Sequence, residues 1–174
     1  MPRIGHRSIL TATAIAVAML ALSLAAVTAG QSDLDRARAA TARFHSLEQA
    51  ERAGYALPPS GPLHECIASF DGSGAMGYHL INGALLDGTI EPTQPEVLVY
   101  APDARGRLQL VALEYVVFDN AWEGEMAPML FGEMFMPTAA PNRYEIPAFH
   151  ALHAWIWEPN PSGTFAGFNP NVSC

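Results

Sequence analysis

The chain contains no lysine: its nine basic residues are all arginine. That removes Schiff-base chemistry and the lysine of a phosphate-binding loop. Positive charge of any kind is scarce. Arg3 and Arg7 stand at the start, so seven arginines face seventeen Asp and Glu beyond Gly30, a net of −10. Such a surface repels phosphate backbones, and no basic stripe offsets it, so nucleic acid is excluded as an expected partner. A Gly-x-Ser-x-Gly elbow is also lacking; Ser73 lies between two glycines but not in that motif. Cysteine is limited to Cys66 and Cys174, and neither is followed closely by the His and Met of a thiolate copper centre.

Charge is missing altogether from Ile9 to Val27, and this absence is informative. A basic start, an apolar run and the small residues Thr28, Ala29 and Gly30 have the layout of a secretory signal peptide over 1–30. The run has the length of a membrane-spanning helix of ~20 residues, but its Ala and Thr content and its small-residue end favour cleavage. No Arg-Arg pair and no terminal Cys point to twin-arginine export or a lipid anchor. The expectation is a secreted or periplasmic protein, outside the membrane once cleaved, with one globular domain over 31–174. In an oxidising compartment Cys66 and Cys174 pair most simply as a disulfide. Closing a loop of roughly 110 residues would stabilise the domain by about 4–5 kcal/mol in the chain-entropy limit.

Ser32 to Ala53 reads as one helix. Ser32 caps it, Leu34, Ala37, Thr41, Phe44 and Leu47 form an apolar face, and Gly54 ends it. Pro58, Pro59, Gly61 and Pro62 make Ala56 to Leu63 a connection. Strands are expected over Cys66 to Phe70 and Tyr78 to Ile81, around the glycine-rich loop Asp71 to Gly77. Val97 to Ala101 and Leu108 to Phe118 flank the turn PDARG as a hairpin whose second arm is apolar on both faces. Ala121 to Pro141 reads as irregular. Phe149 to Trp157 reads as a last strand, although Pro147 could open a helix there. The fold class is α+β: an N-terminal helix packed on an antiparallel-rich sheet, in a single domain with one disulfide.

Gly72, Gly74 and Gly77 satisfy G-x-G-x-x-G, with Glu96 nineteen residues on. A dinucleotide site needs a helix after the motif, and Gly83 and Gly88 leave no room for one. The motif reads as a tight loop, and no nucleotide cofactor is expected. Glu114 is different. It sits inside LQLVALEYVVF, on a face assigned to Leu110, Ala112, Val116 and Phe118. An unpaired carboxylate there is costly, so a partner is required. Arg143, a protonated hydrogen bond, or a metal shared with His79 and His153 would each serve. Two imidazoles and a carboxylate are a recognised ligand set for zinc and non-haem iron. A buried hydrogen-bond network without an ion is the plainer alternative. His150 joins His153 on one face only if their segment is helical; in a strand the two point apart. Met126, Met129, Met134 and Met136 could ligate copper, but interleaved Leu130, Phe131 and Phe135 favour core packing.

The segments MGYHLIN (Met76 to Asn82), VLVYAP (Val97 to Pro102), Glu114-Tyr115, Leu130-Phe131-Gly132 and LHAWIWEPNPSGTFAGFNPNVSC, ending at Cys174, resemble a family of small exported bacterial proteins. The likeness covers most of the mature chain and implies a shared fold and export, and no activity. By that resemblance His79, Glu114 and His153 match the family pattern, His150 ranks below them, and the methionine run lies outside it.

The functional expectation is a protein that binds a divalent metal (zinc, iron or copper) or a small ligand in a pocket formed by His79, Glu114 and His153, with His150 as a lesser candidate. A metal-dependent extracytoplasmic enzyme and a non-catalytic envelope or interaction module with an acidic surface are the alternatives.

Overall fold

β4 (Leu108–Phe118) is the spine of the molecule, and all but its first two and last residues are buried. Its continuous apolar run is what a strand covered on both faces requires. A computed structural model describes residues 32–174; the leader over 1–30, with the cleavage expected after it, lies outside the described residues. The other strands in chain order are β1 (Ile67–Ala68), β2 (Ala75–Ile81), β3 (Val97–Pro102), β5 (Met129–Leu130), β6 (Glu133–Met134), β7 (Met136–Thr138) and β8 (Phe149–Ala154). Six of them form one curled antiparallel sheet in the order β1-β2-β3-β4-β8-β7, and β5 pairs with β6 as a separate ribbon. With a few short helices and one disulfide the class is α+β.

The long helix expected over Ser32–Ala53, packing on the sheet as one element, does not form. A first helix, α1, covers 32–41; a 3₁₀ turn, Ala42–His45, and a short helix, α2 (Leu47–Arg52), follow. The break has local causes. Thr41 donates its hydroxyl back to the Ala37 carbonyl at 2.7 Å, a bond that tends to bend helices. Ser46 then turns to extended backbone, and its side chain accepts from the Gln49 amide. Ser46 and Gln49 have the spacing of a capping box, which a count of apolar spacings passes over. Gly54 does end α2, at φ 96°, with Tyr55 N–H donating to Ala50 O and Gly54 N–H to Glu51 O, the Schellman pattern.

The sheet has two buried faces. Leu98, Tyr100, Leu113, Tyr115 and Leu152 cluster with Ala37, Phe44 and Ala50 on one. Val97, Val99, Ala112, Val116, Phe149 and Trp155 cluster with Val172 on the other. A register shift separates the pairs Val99↔Ala112 and Tyr100↔Leu110. The extra residue, Val111, acts as a β-bulge, and beyond it the alternation of faces resets. Leu110 therefore belongs to the first face and does not share Glu114's, as strict alternation had placed it.

The glycine-rich loop joins β1 to β2, and a strand follows it rather than a helix. Its glycines serve backbone proximity. A Cβ on Gly74 would lie 2.1 Å from the Asn169 carbonyl oxygen, and one on Gly77 would lie 2.4 Å from that of Tyr100. Ala75 bridges to Asn169, and Cys66 is bonded to Cys174, so the tail is fixed at two points against the β1–β2 corner. The expected strand at Cys66–Phe70 shrinks to two residues, while β2 starts three residues before Tyr78. The expected irregular segment holds β5, β6 and the edge strand β7. Pro137 in β7 hides it from a pattern search, and a sheet edge is where proline is tolerated. No helix among the described residues is long and apolar enough to cross a membrane.

Candidate metal centre

Strand register brings the site together. Ile81, Val97, Glu114 and His153 form one row across β2, β3, β4 and β8. Directly paired residues project to the same face, so His153 is the immediate cross-strand neighbour of Glu114. His79 lies one same-face position along β2, opposite Val99, which pairs with Ala112. Small side chains at these intervening positions leave room for the imidazole to lean over β3 towards the carboxyl group. His79 Nε2 is 3.4 Å from Glu114 Oε2, and His153 Nδ1 is 3.7 Å from Oε1. One ligand atom from each residue falls within 4.8 Å of the other two, and all three residues are buried. His153 also stacks against Trp155, with ring centroids 6.1 Å apart and planes at 15°, which fixes its orientation.

Burial sets the protonation states. It pushes the Glu114 carboxyl up to about 8, with the nearby charge of Glu96 adding to the effect. It pulls His79 down to about 4, and His153 to about 3 with help from His79. All three shifts favour neutral forms, as low-dielectric surroundings dictate. The neutral trio is under-bonded. One contact is at the limit of a hydrogen bond and the other beyond it; His153 Nε2 is buried with no partner, and the Gly77 backbone is the polar neighbour of His79 besides Glu114. Polar networks retained purely for packing are ordinarily saturated.

Arg143 does not neutralise the acid. Its guanidinium donates to the Ala68 carbonyl at 3.1 Å and stacks over Phe70, so the Glu–Arg alternative is discarded. His150 is separated as well. β8 is a strand, so His150 pairs with Val117 and faces away from His153; its Nδ1 lies 3.0 Å from Asp119 Oδ1. The helical spacing that would have made it a fellow ligand does not arise.

The methionines are not core. Met126, Met129, Met134 and Met136 are 79%, 56%, 60% and 63% exposed. The interleaved residues go inward instead. Phe135 is buried, and Phe131 stacks on Phe165 and meets Tyr115 edge-on. Phe131 (φ 57°) and Gly132 (φ 84°) form the two-residue turn between β5 and β6, a turn that requires positive φ at both central positions. It sets Met129 opposite Met134 on the exposed ribbon.

Two further residues line the site, and a third acts on it through its charge. Met76 and Tyr144 line it, with the tyrosine hydroxyl 4.0 Å from Met76 Sδ. Glu96 is a second buried acid, held at about 7 by burial, and its Oε2 accepts from the Val116 amide at 2.9 Å. The signal for Glu96 was available: it directly precedes the apolar run VLVYA. Comparison with protein-family models, curated proteins and solved structures finds no match to the chain.

Proposed function

We propose that this protein is exported and binds one divalent transition-metal ion through His79 Nε2, the Glu114 carboxylate and His153 Nδ1. The carrying observation is the convergence of these three donors, from three strands, in a buried setting that leaves them incompletely bonded to one another. Two imidazoles and one carboxylate suit zinc, iron(II) or copper(II). Separations of 3.4 and 3.7 Å are close to those between ligands on a tetrahedral ion with bonds of about 2.0–2.1 Å. Three protein ligands also leave a coordination position for water or a ligand, as metal sites that act on other molecules do. The disulfide and the leader-like start support an oxidising, extracytoplasmic setting, in keeping with the resemblance to exported bacterial proteins.

The test is elemental analysis of the oxidised, mature chain after equilibration with zinc, iron(II) or copper(II) and removal of loosely bound metal. One ion per chain in the native protein, lost in His79→Ala, is expected. An absence of stoichiometric metal with all three ions refutes the reading. Metal-dependent turnover, against a metal-stripped control, would place the site among enzymes rather than passive binders.

A further inference from the structure

A cavity of about 300 Å³ opens beside the site on the His79 side. Ile67, Ile81, Leu86, Val116, Phe118 and Phe149 supply most of its wall, and His79 and Glu114 are its buried polar groups. A second cavity of about 280 Å³ lies on the other side and contains His153 and Met136. The two share Met76, Glu114, Tyr144 and Phe149, so the Met76–Tyr144 contact stands between two compartments that meet at the glutamate. No arginine lines either compartment. An anionic guest would lose its hydration without gaining a counter-charge from the walls, and a cationic one is left only the Glu114 position proposed for the ion. An uncharged guest with a hydrocarbon body would lose little, and the volume is at the lower end for small-molecule sites. His79 and Glu114 both line this wall, so the polar end of a guest is expected at that pair.

We infer that the larger cavity binds a small uncharged molecule, mostly hydrocarbon, with a single oxygen or nitrogen head placed at His79 and Glu114. This rests on the proposed function only for the ion that the head would meet; the hydrocarbon body is held by the cavity wall with or without metal.

Straight-chain primary alcohols from four to ten carbons are the probes, titrated calorimetrically into metal-free and metal-loaded protein whose metal content is measured in parallel. Kd should fall about fourfold per methylene until the cavity is full and then level off. Alkanoates of equal length should bind metal-free protein, and alkylammonium ions metal-loaded protein, at least tenfold more weakly. Leu86→Trp, which fills the cavity from a half-buried wall position, should abolish binding of the longer alcohols and leave metal stoichiometry unchanged. A Kd indifferent to chain length, charged probes binding those respective forms as tightly as neutral ones, or alcohol binding unaffected by Leu86→Trp would each overturn the inference. The chain-length series in native protein decides the matter even if the variant does not fold. Alcohol binding without metal in any sample retains the cavity assignment and removes the ion; metal without alcohol binding does the reverse.

Discussion

Replacing Glu114 by Gln should make the metal-free protein less sensitive to alkali. In the folded protein the Glu114 carboxyl is held at about 8 and Glu96 at about 7, both raised by burial, whereas in the unfolded chain both titrate near 4.3. Above pH 6.5 the unfolded chain has released these protons and the folded chain keeps them, so stability falls as pH rises. For Glu114 the window from pH 6.5 to 8 spans 1.5 units, which at 1.36 kcal/mol per unit gives a loss of about 2 kcal/mol. Glu96 adds less than about 1 kcal/mol before its own midpoint. The histidines act at the other end. His79 and His153 are held at about 4 and about 3 by burial, so the unfolded chain takes up protons first as pH falls below 6.5. Between pH 4.5 and 6.5 two depressed imidazoles offset two raised carboxyls, and the profile should be nearly flat; below that it should drop. Urea unfolding at half-unit steps from pH 4 to 9 measures the whole curve. Glu114→Gln should retain only the smaller fall due to Glu96, while zinc added at pH 8 should restore native stability and leave the variant unchanged. A native profile that is level from pH 6.5 to 8.5, or a variant that falls as steeply as the native protein, would refute a buried, protonated Glu114.

Two further outcomes test the packing around the site. Gly77→Ala should destabilise the fold by at least about 2 kcal/mol in urea unfolding, because the new methyl would meet the Tyr100 carbonyl oxygen at 2.4 Å from a residue with φ 116°; Gly72→Ala, with nothing within 4 Å, incurs the backbone strain alone. Under dilute peroxide, mass spectrometry of peptides should show Met126, Met129, Met134 and Met136 oxidised well before Met76, which is 8% exposed, with no loss of unfolding free energy at that stage. Early oxidation of Met76 would mean that the wall between the two cavities is open to water.

The convergence of His79, Glu114 and His153 was legible because each residue breaks the pattern of its segment. A carboxylate amid Val, Ala and Tyr needs a partner wherever the chain takes it, and two histidines in predicted strands are the partners a sheet can deliver. The choice between His153 and His150 was not legible. It depends on whether Phe149–Ala154 pairs as a strand, which β4 and β7 decide from distant parts of the chain. The methionine run misled for a related reason. Apolar spacing counts Met, Leu and Phe alike, whereas the turn at Phe131-Gly132 sends the aromatic rings inward and the thioethers out. The bulge at Val111 is not legible because nothing in LQLVALEYVVF marks where alternation slips; it is set by the partner strand. The break at Ser46 was local and readable: a capping pair outweighs apolar spacing when a helix has a serine followed three residues later by glutamine.

The placement of the three donors bears on how tightly an ion would be held. All three sit on strands of the main sheet, β2, β4 and β8, with β3 between the first two, and strands hold side chains in a fixed relation better than loops do. Binding would then ask for small rotations of side chains already oriented, Trp155 stacked on His153 being one support. The cover is built differently. Tyr144 and Ile146 come from outside the sheet, as does Val172 in the tail, and all three pack on the face that bears the site. The tail is secured there by the Ala75–Asn169 bridge and the Cys66–Cys174 bond. A rigid floor under a cover of loops is the arrangement expected where a guest must enter without disturbing the groups that receive it. It also explains why a protein would tolerate an under-bonded acid: the donors are kept in place by the pairing of β2, β3, β4 and β8, not by their bonds to one another, so they can stay receptive to an ion.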